Sequence, residues 1–251
     1  MFTSNPFADM TVSLSPFTLQ LYVVAMVFAV AAGTLYDMLH KSSAKFFAGR
    51  VEKSKAAATR KLSSVHTATL AVKTLAVEVA SAGEFCNPQR RISHLLMFYG
   101  VLFYFITTVV MIFGYPTHDT PTPVMLSLLW HIGIIMILVG GYWFFFLLRV
   151  NVAKDGQPVF RLVYADVFIV SLLSSVTFAL LWRIVAIGGN VTVTNVVFGL
   201  YILCTTILFV SVPWSKFAHM FYKPAVAFQR RVEEANGSSS LPSPVVRNEG
   251  S

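Results

Sequence analysis

Two histidines, His94 and His219, stand where long apolar runs meet charged sequence, one at the start of a run and one just past the end of another. At roughly 1.5 Å of rise per residue, His94 lies about 3 Å inside its run, so the two imidazoles share one depth if both runs cross a membrane. Imidazoles brought to one depth by different helices are the ligand set for the iron of a non-covalently bound haem. Arg90 and Arg91 precede His94, and Lys216 and Lys223 bracket His219. Such bases form charge-assisted bonds with carboxylates, which suits haem propionates. The same residues also fit a plainer reading, interfacial imidazoles beside the positive flanks of membrane helices.

A second polar group lies deeper, toward the opposite surface. His131 and Arg183 fall about 10 Å and 6 Å from it, and Tyr104 and Tyr201 about 15 Å and 12 Å, each on a different apolar run. Ionisable groups at such depth are costly and turn toward a bundle interior. A quinone has two carbonyls and gains two protons on reduction, so these side chains would suit it as donors and proton carriers. Two other assignments compete: His131 as ligand of a second haem, and no function at all, with Arg183 snorkelling to the interface and the tyrosines only packing. His40, beside Asp37 and Lys41, is the rival ligand for the first haem, although a helix C-terminus already favours a histidine. His66 reads as exposed or docked on a partner, and His118 as solvated.

Cys86 and Cys204 are the only cysteines. They are too few for an iron–sulfur cluster, and the C-x-x-C-H of covalent haem attachment is missing. No glycine-rich phosphate loop of the G-x-G-x-x-G or P-loop type occurs. Flavin or cluster chemistry must then belong to another subunit.

The elements that position these groups follow from composition. Of 251 residues, 56% are hydrophobic and 12% charged, with a mean hydropathy of +0.69, which places the chain among integral membrane proteins. Apolar runs of about 20 residues, enough to cross the hydrocarbon core, predict five spans at about 17–39, 92–114, 124–148, 162–187 and 193–217. Because backbone groups in lipid must be satisfied internally, the expected fold is an all-α five-helix transmembrane bundle. Lys and Arg are one-sided: ten fall between Lys41 and Arg91, three at Arg149, Lys154 and Arg161, and five after the fifth span, with Arg183 alone inside a span. The positive-inside rule therefore puts the N-terminus outside and the C-terminus in the cytoplasm. The first span reads as a retained helix rather than a cleaved signal peptide, since it lacks a basic leading region and is too long. The net charge of +8 is mostly topological and suits anionic lipid or an acidic partner; nothing points to nucleic acid.

Between the first two spans, Leu62, Val65, Thr69, Val72, Ala76 and Val79 recur at steps of three and four. This spacing predicts an amphipathic cytoplasmic helical segment over about 50–82, either lying on the membrane surface or docking a soluble partner. The membrane domain spans 1–231, and the Ser-, Pro- and Gly-containing stretch 232–251 reads as a disordered tail.

The segments Arg90-Arg91-Ile92-Ser93-His94-Leu95-Leu96-Met97-Phe98 and Trp214-Ser215-Lys216-Phe217-Ala218-His219-Met220-Phe221-Tyr222-Lys223-Pro224 resemble the membrane cytochrome b subunits of the nitrate reductase gamma family. The likeness extends to its relatives in sulfur metabolism and methanogenesis, the DsrM, QmoC and heterodisulfide reductase membrane subunits. A stand-alone chain of this size without a fused ferredoxin domain is most similar to the membrane anchor of adenylylsulfate reductase. The resemblance implies a multi-pass subunit of a prokaryotic cytoplasmic membrane that holds haem b through His94 and His219. It also implies electron transfer between cytoplasmic flavin or iron–sulfur redox subunits and the quinone pool, without catalysis by this chain alone. Two-haem members carry further histidines where this chain offers Tyr104 and Tyr201, so the resemblance supports one haem and leaves a second without its ligands. A haem-free structural anchor and a small transporter are the alternative functions; against the latter, no internal repeat or central charged pair is visible.

Overall fold

Asparagine and proline mark where this chain begins its helices. Asn87 accepts hydrogen bonds from the N–H groups of Gln89 and Arg90, with Pro88 at the first helical position, and Asn190 accepts from Val193 at 3.1 Å; each side chain satisfies donors that a helix start leaves open. The computed structural model describes residues 3–40, 43–83, 85, 87–149, 156–212 and 219–239. In chain order its α-helices are α1 (Pro6–Asp9), α2 (Pro16–His40), α3 (Ser43–Ala57), α4 (Ser64–Thr74), α5 (Pro88–Gly114), α6 (Val124–Trp143), α7 (Val167–Ile187), α8 (Val191–Ser211) and α9 (His219–Asn236). Wider π turns continue α4 over Leu75–Ala80 and α6 over Phe144–Leu148. No strand occurs among the described residues.

Five helices are long and apolar enough to cross a membrane: Pro16–Asp37, Pro88–Gly114, Val124–Leu148, Val167–Ile187 and Val191–Ser211. The expected spans are thus present with shifted ends. The second begins at Pro88 rather than 92 because of the Asn87 cap. The fourth begins at Val167 rather than 162. Its expected first residues instead form a turn around buried Asp166, whose carboxylate accepts from Arg149 Nη1 at 2.9 Å and from the Val163 N–H at 3.1 Å. The fifth ends at Ser211, and residues 213–218, with Lys216, lie outside the described residues.

The chain divides into two units. The larger, Met1–Asp37 with Ala82–Ala218, is organised around the contact of α5 with α6. A Cβ on Gly100 would meet the Gly133 carbonyl oxygen at 2.9 Å, one on Gly133 the Gly100 oxygen at 2.8 Å, and one on Gly140 the Ser93 oxygen at 2.8 Å. The two backbones therefore touch along three turns, the close approach that small residues allow where lipid supplies no hydrophobic drive between helices. The Ser93 hydroxyl locks the same seam, donating to the Gly140 carbonyl at 2.8 Å. Toward α7 and α8 the core is Trp130, Ile134, Ile137, Val176, Ala179 and Trp182, all 1% exposed or less. By contrast α2 is peripheral: 6% of its apolar window is buried, against 50% for α7.

The smaller unit, Met38–Ser81 with His219–Ser251, holds α3, α4 and α9. Arg50 grips Glu233 with two bonds, Nε to Oε1 at 2.9 Å and Nη2 to Oε2 at 2.7 Å, and Arg231 Nη2 donates to Glu78 Oε1 at 2.6 Å. The expected single segment over 50–82 is two helices. The Thr59 and Arg60 N–H groups are taken by the Asn236 carbonyl at 3.0 and 3.1 Å, and Ser63 then caps α4. Residues 232–236, read as the start of the tail, are helical and end at Gly237, whose φ of 77° is the left-handed conformation that closes helices. Residues 240–251 of that tail lie outside the described residues.

Gly133→Ala should lower thermal stability in detergent by roughly 1–3 kcal/mol, since backbone atoms must yield. Gly199→Ala, where a Cβ meets nothing within 4 Å, should leave it unchanged or raised; equal losses would discount the seam. In the smaller unit, the Arg50 guanidinium holds the Glu233 carboxyl below its usual pKa. The pair's stabilisation is therefore full above about pH 4.3, the unfolded value, and lost as pH falls through the lower folded one. Protection factors in α9, corrected for the intrinsic pH dependence of amide exchange, should fall over that acidic window and fall less in Glu233→Gln.

Candidate functional site

His94 sits in the second turn of α5, one residue beyond Ser93, whose side chain is committed to the α6 seam. The His94 ring is half-buried, 5.0 Å from the Phe85 ring and 6.5 Å from that of Phe98. Arg90 Nη2 donates to the Leu148 carbonyl at 2.9 Å, which employs one of five N–H donors and leaves the guanidinium able to hold a carboxylate as well. Arg91 is exposed. His219 is the first residue of α9, in the smaller unit. Residues 213–218 before it lie outside the described residues, as does its side chain. His40 is exposed as the last residue of α2. Among the described residues no three His, Cys, Asp or Glu side chains cluster to hold a metal ion.

The deeper polar group resolves into three parts. Tyr104 and Tyr201 are brought together: the Tyr104 hydroxyl donates to that of Tyr201 at 2.7 Å. Tryptophans flank the pair, Trp130 5.6 Å from the Tyr104 ring and Trp182 stacked on Tyr201 at 5.9 Å. His131 is buried behind Trp130, its Nδ1 2.7 Å from the Ser127 carbonyl and its ring edge-on to the indole at 4.9 Å. Arg183 is neither beside the tyrosine hydroxyls nor snorkelling outward. Nη1 donates to Asp9 Oδ2 and Nη2 to Ser4 Oγ, both at 2.9 Å.

That ion pair depends on α1, an element the hydropathy pattern passes over. Asn5 caps it and ties it down by donating to the Tyr115 carbonyl and the Thr122 hydroxyl. Phe7 enters the aromatic layer, 5.9 Å from Trp130 and 5.6 Å from Trp182. The available signal was the Asn5-Pro6 pair, a cap followed by proline, with Asp9 as the sole acid before the first span.

Two cavities adjoin this layer. One of about 50 Å³ lies against the tyrosine pair, walled by Leu19, Tyr22 and Met26 of α2, by Thr108 of α5 and by Thr205 of α8. Tyr22, which hydropathy reading also missed, shares hydrogen bonds there with the Thr206 hydroxyl at 3.0 Å and the Ile202 carbonyl. The other, about 210 Å³, is lined by Asp9, Arg183, Thr194 and Asn195. His131 lines neither.

Tyr201→Phe should cost about 1 kcal/mol by stranding the Tyr104 donor, and Tyr104→Phe combined with it should cost less than the two single losses added. Thermal denaturation across this double-mutant cycle measures the coupling; strict additivity would mean the bond contributes nothing.

No protein-family model, curated protein or solved structure matches the chain.

Proposed function

We propose that the chain is a haem b-binding membrane subunit that carries electrons between cytoplasmic flavin or iron–sulfur redox subunits and the quinone pool. The observation that carries this reading is His94, half-buried on an aromatic flank at the start of a membrane-length helix, within a segment resembling the nitrate reductase gamma and sulfur-metabolism cytochromes. In this reading His94 and His219 would hold the haem iron, and Arg90, Arg91 and Lys216 would neutralise its propionates. A bound haem supplies one-electron transfer. The side chains fix its potential through ligand identity and local charge. The N-terminus is outside and the C-terminus in the cytoplasm of a prokaryotic inner membrane, an orientation supported by Lys and Arg. The soluble partner fits the adenylylsulfate reductase type.

The quinone end is assigned to the tyrosine pair, with two changes from the sequence expectation. Arg183 is taken up by Asp9, and His131 lines no cavity beside the hydroxyls, so neither is given a direct contact. Tyr104 and Tyr201 can donate to a quinone carbonyl and hold a proton at a phenol oxygen. A space of about 50 Å³ is smaller than the roughly 150 Å³ that accepts a benzene ring, so the quinone ring enters by displacement of α2. That helix is suited to move: it is the least buried span, and side-chain bonds from Gln20 and Tyr22 tie it to α5 and α8.

Purified protein reduced with dithionite should show the bands of a low-spin haem b. His94→Ala and His219→Ala should each abolish them, while His131→Ala should retain them. Colourless protein isolated under conditions that keep haem in place would refute the reading and leave a haem-free anchor. Loss of haem in His40→Ala with retention in His219→Ala would move the second ligand to His40.

A further inference from the structure

The helix that the sequence marks as amphipathic leaves the middle of its apolar stripe exposed. Within the smaller unit, α4 and its π continuation bury Thr74, at 1% exposure, half-bury Leu70 and Ala71, and pair Glu78 with Arg231. The apolar stripe lies on the other side. Val65 is 77% exposed and Val72 67%, with Thr69 and Ala76 exposed between and beyond them. A helix that packs a mixed face of Leu70, Ala71 and Thr74 into its own unit and keeps Val65 and Val72 outward has a second apolar surface to meet.

The charges say which. The unit holds twelve of the 19 Lys and Arg but five of the 11 Asp and Glu. Three of its arginines are engaged internally: Arg50 with Glu233, Arg231 with Glu78 and Arg230 with Glu234. Lys53, Lys55, Lys61 and Lys73 are exposed and make no ion pair among the described residues. The stripe carries no aromatic or arginine anchor of the kind that dominates protein interfaces, and lysines beside a shallow aliphatic face suit anionic headgroups over acyl chains. Chain connectivity keeps lipid at hand. Two residues separate the end of α2 from α3 and seven separate Ala80 from Pro88, a reach of at most about 25 Å.

We propose that the exposed Val65–Val72–Ala76 face of α4 and its π continuation rests on an anionic lipid surface, with Lys73 on the headgroups. This does not depend on haem or quinone binding. The test uses the full chain with Cys86→Ser and Cys204→Ser, a Val72→Cys substitution carrying an environment-sensitive fluorophore, and nanodiscs of phosphatidylcholine with or without phosphatidylglycerol. The probe should shift to the blue and be quenched by lipid-borne spin labels in the anionic discs. Lys73→Gln should weaken that partition about fivefold, as expected for one headgroup charge, and high salt should reverse it. Val65→Asp, at a site too exposed to threaten folding, should abolish the quenching with circular dichroism unchanged. A probe quenched by aqueous iodide but not by lipid in both disc types would overturn the proposal. Shielding seen only in the complex isolated with its partner proteins would overturn it too, by assigning the face to a protein.

Discussion

Gly100 and Gly133 face each other across α5 and α6 at a separation that excludes even a methyl group, and the rotational setting of both helices follows. With Gly100 on the seam, Tyr104 one turn later lies beside Gly133, so its ring meets Trp130 and its hydroxyl reaches Tyr201. In the other direction Ser93 is fixed on Gly140, which decides where the neighbouring His94 stands. Dispersion forces between backbones, the main attraction left when hydrocarbon surrounds a helix, thus set the geometry of both ends of the proposed electron path. The two ends are spaced along one rigid helix, α5, by three turns of backbone contact.

Burial of charge imposes the next constraint. Arg183 and Arg149 are each 4% exposed, and a guanidinium withdrawn from water needs a carboxylate and further hydrogen bonds. Arg149 finds Asp166 and the Val159 carbonyl, shaping the start of α7. Arg183 finds Asp9 and Ser4, and thereby keeps α1 in place with Phe7 in the aromatic layer.

The five spans were legible because hydropathy is summed locally over about 20 residues and needs no partner. Their ends were less so: Asn87 and Asp166 shift helix starts through bonds to backbone groups that a hydropathy window does not see. The Tyr104–Tyr201 contact was half legible, as a shared depth on two helices, whereas the partner of Arg183 lies 174 residues away and leaves no trace in local pattern. Periodicity found the apolar stripe of α4 but carries no information on which side the neighbours stand. The last turn of α9, 232–236, was read as tail because its polar residues run on into the Ser- and Pro-containing stretch, although Arg230 and Glu234 form an i,i+4 pair that leads into it.

The shallow seat of α2 bears on how the protein is made. This helix enters the bilayer before any of the helices it will touch, and its surface is nearly all compatible with acyl chains. It can wait in the membrane as a solitary helix and dock late, through side-chain hydrogen bonds from Gln20 and Tyr22 and the packing of Leu19 and Val23. Assembly of the α5–α8 core therefore has no need of its earliest-synthesised span, and translation order and packing order can run in opposite directions.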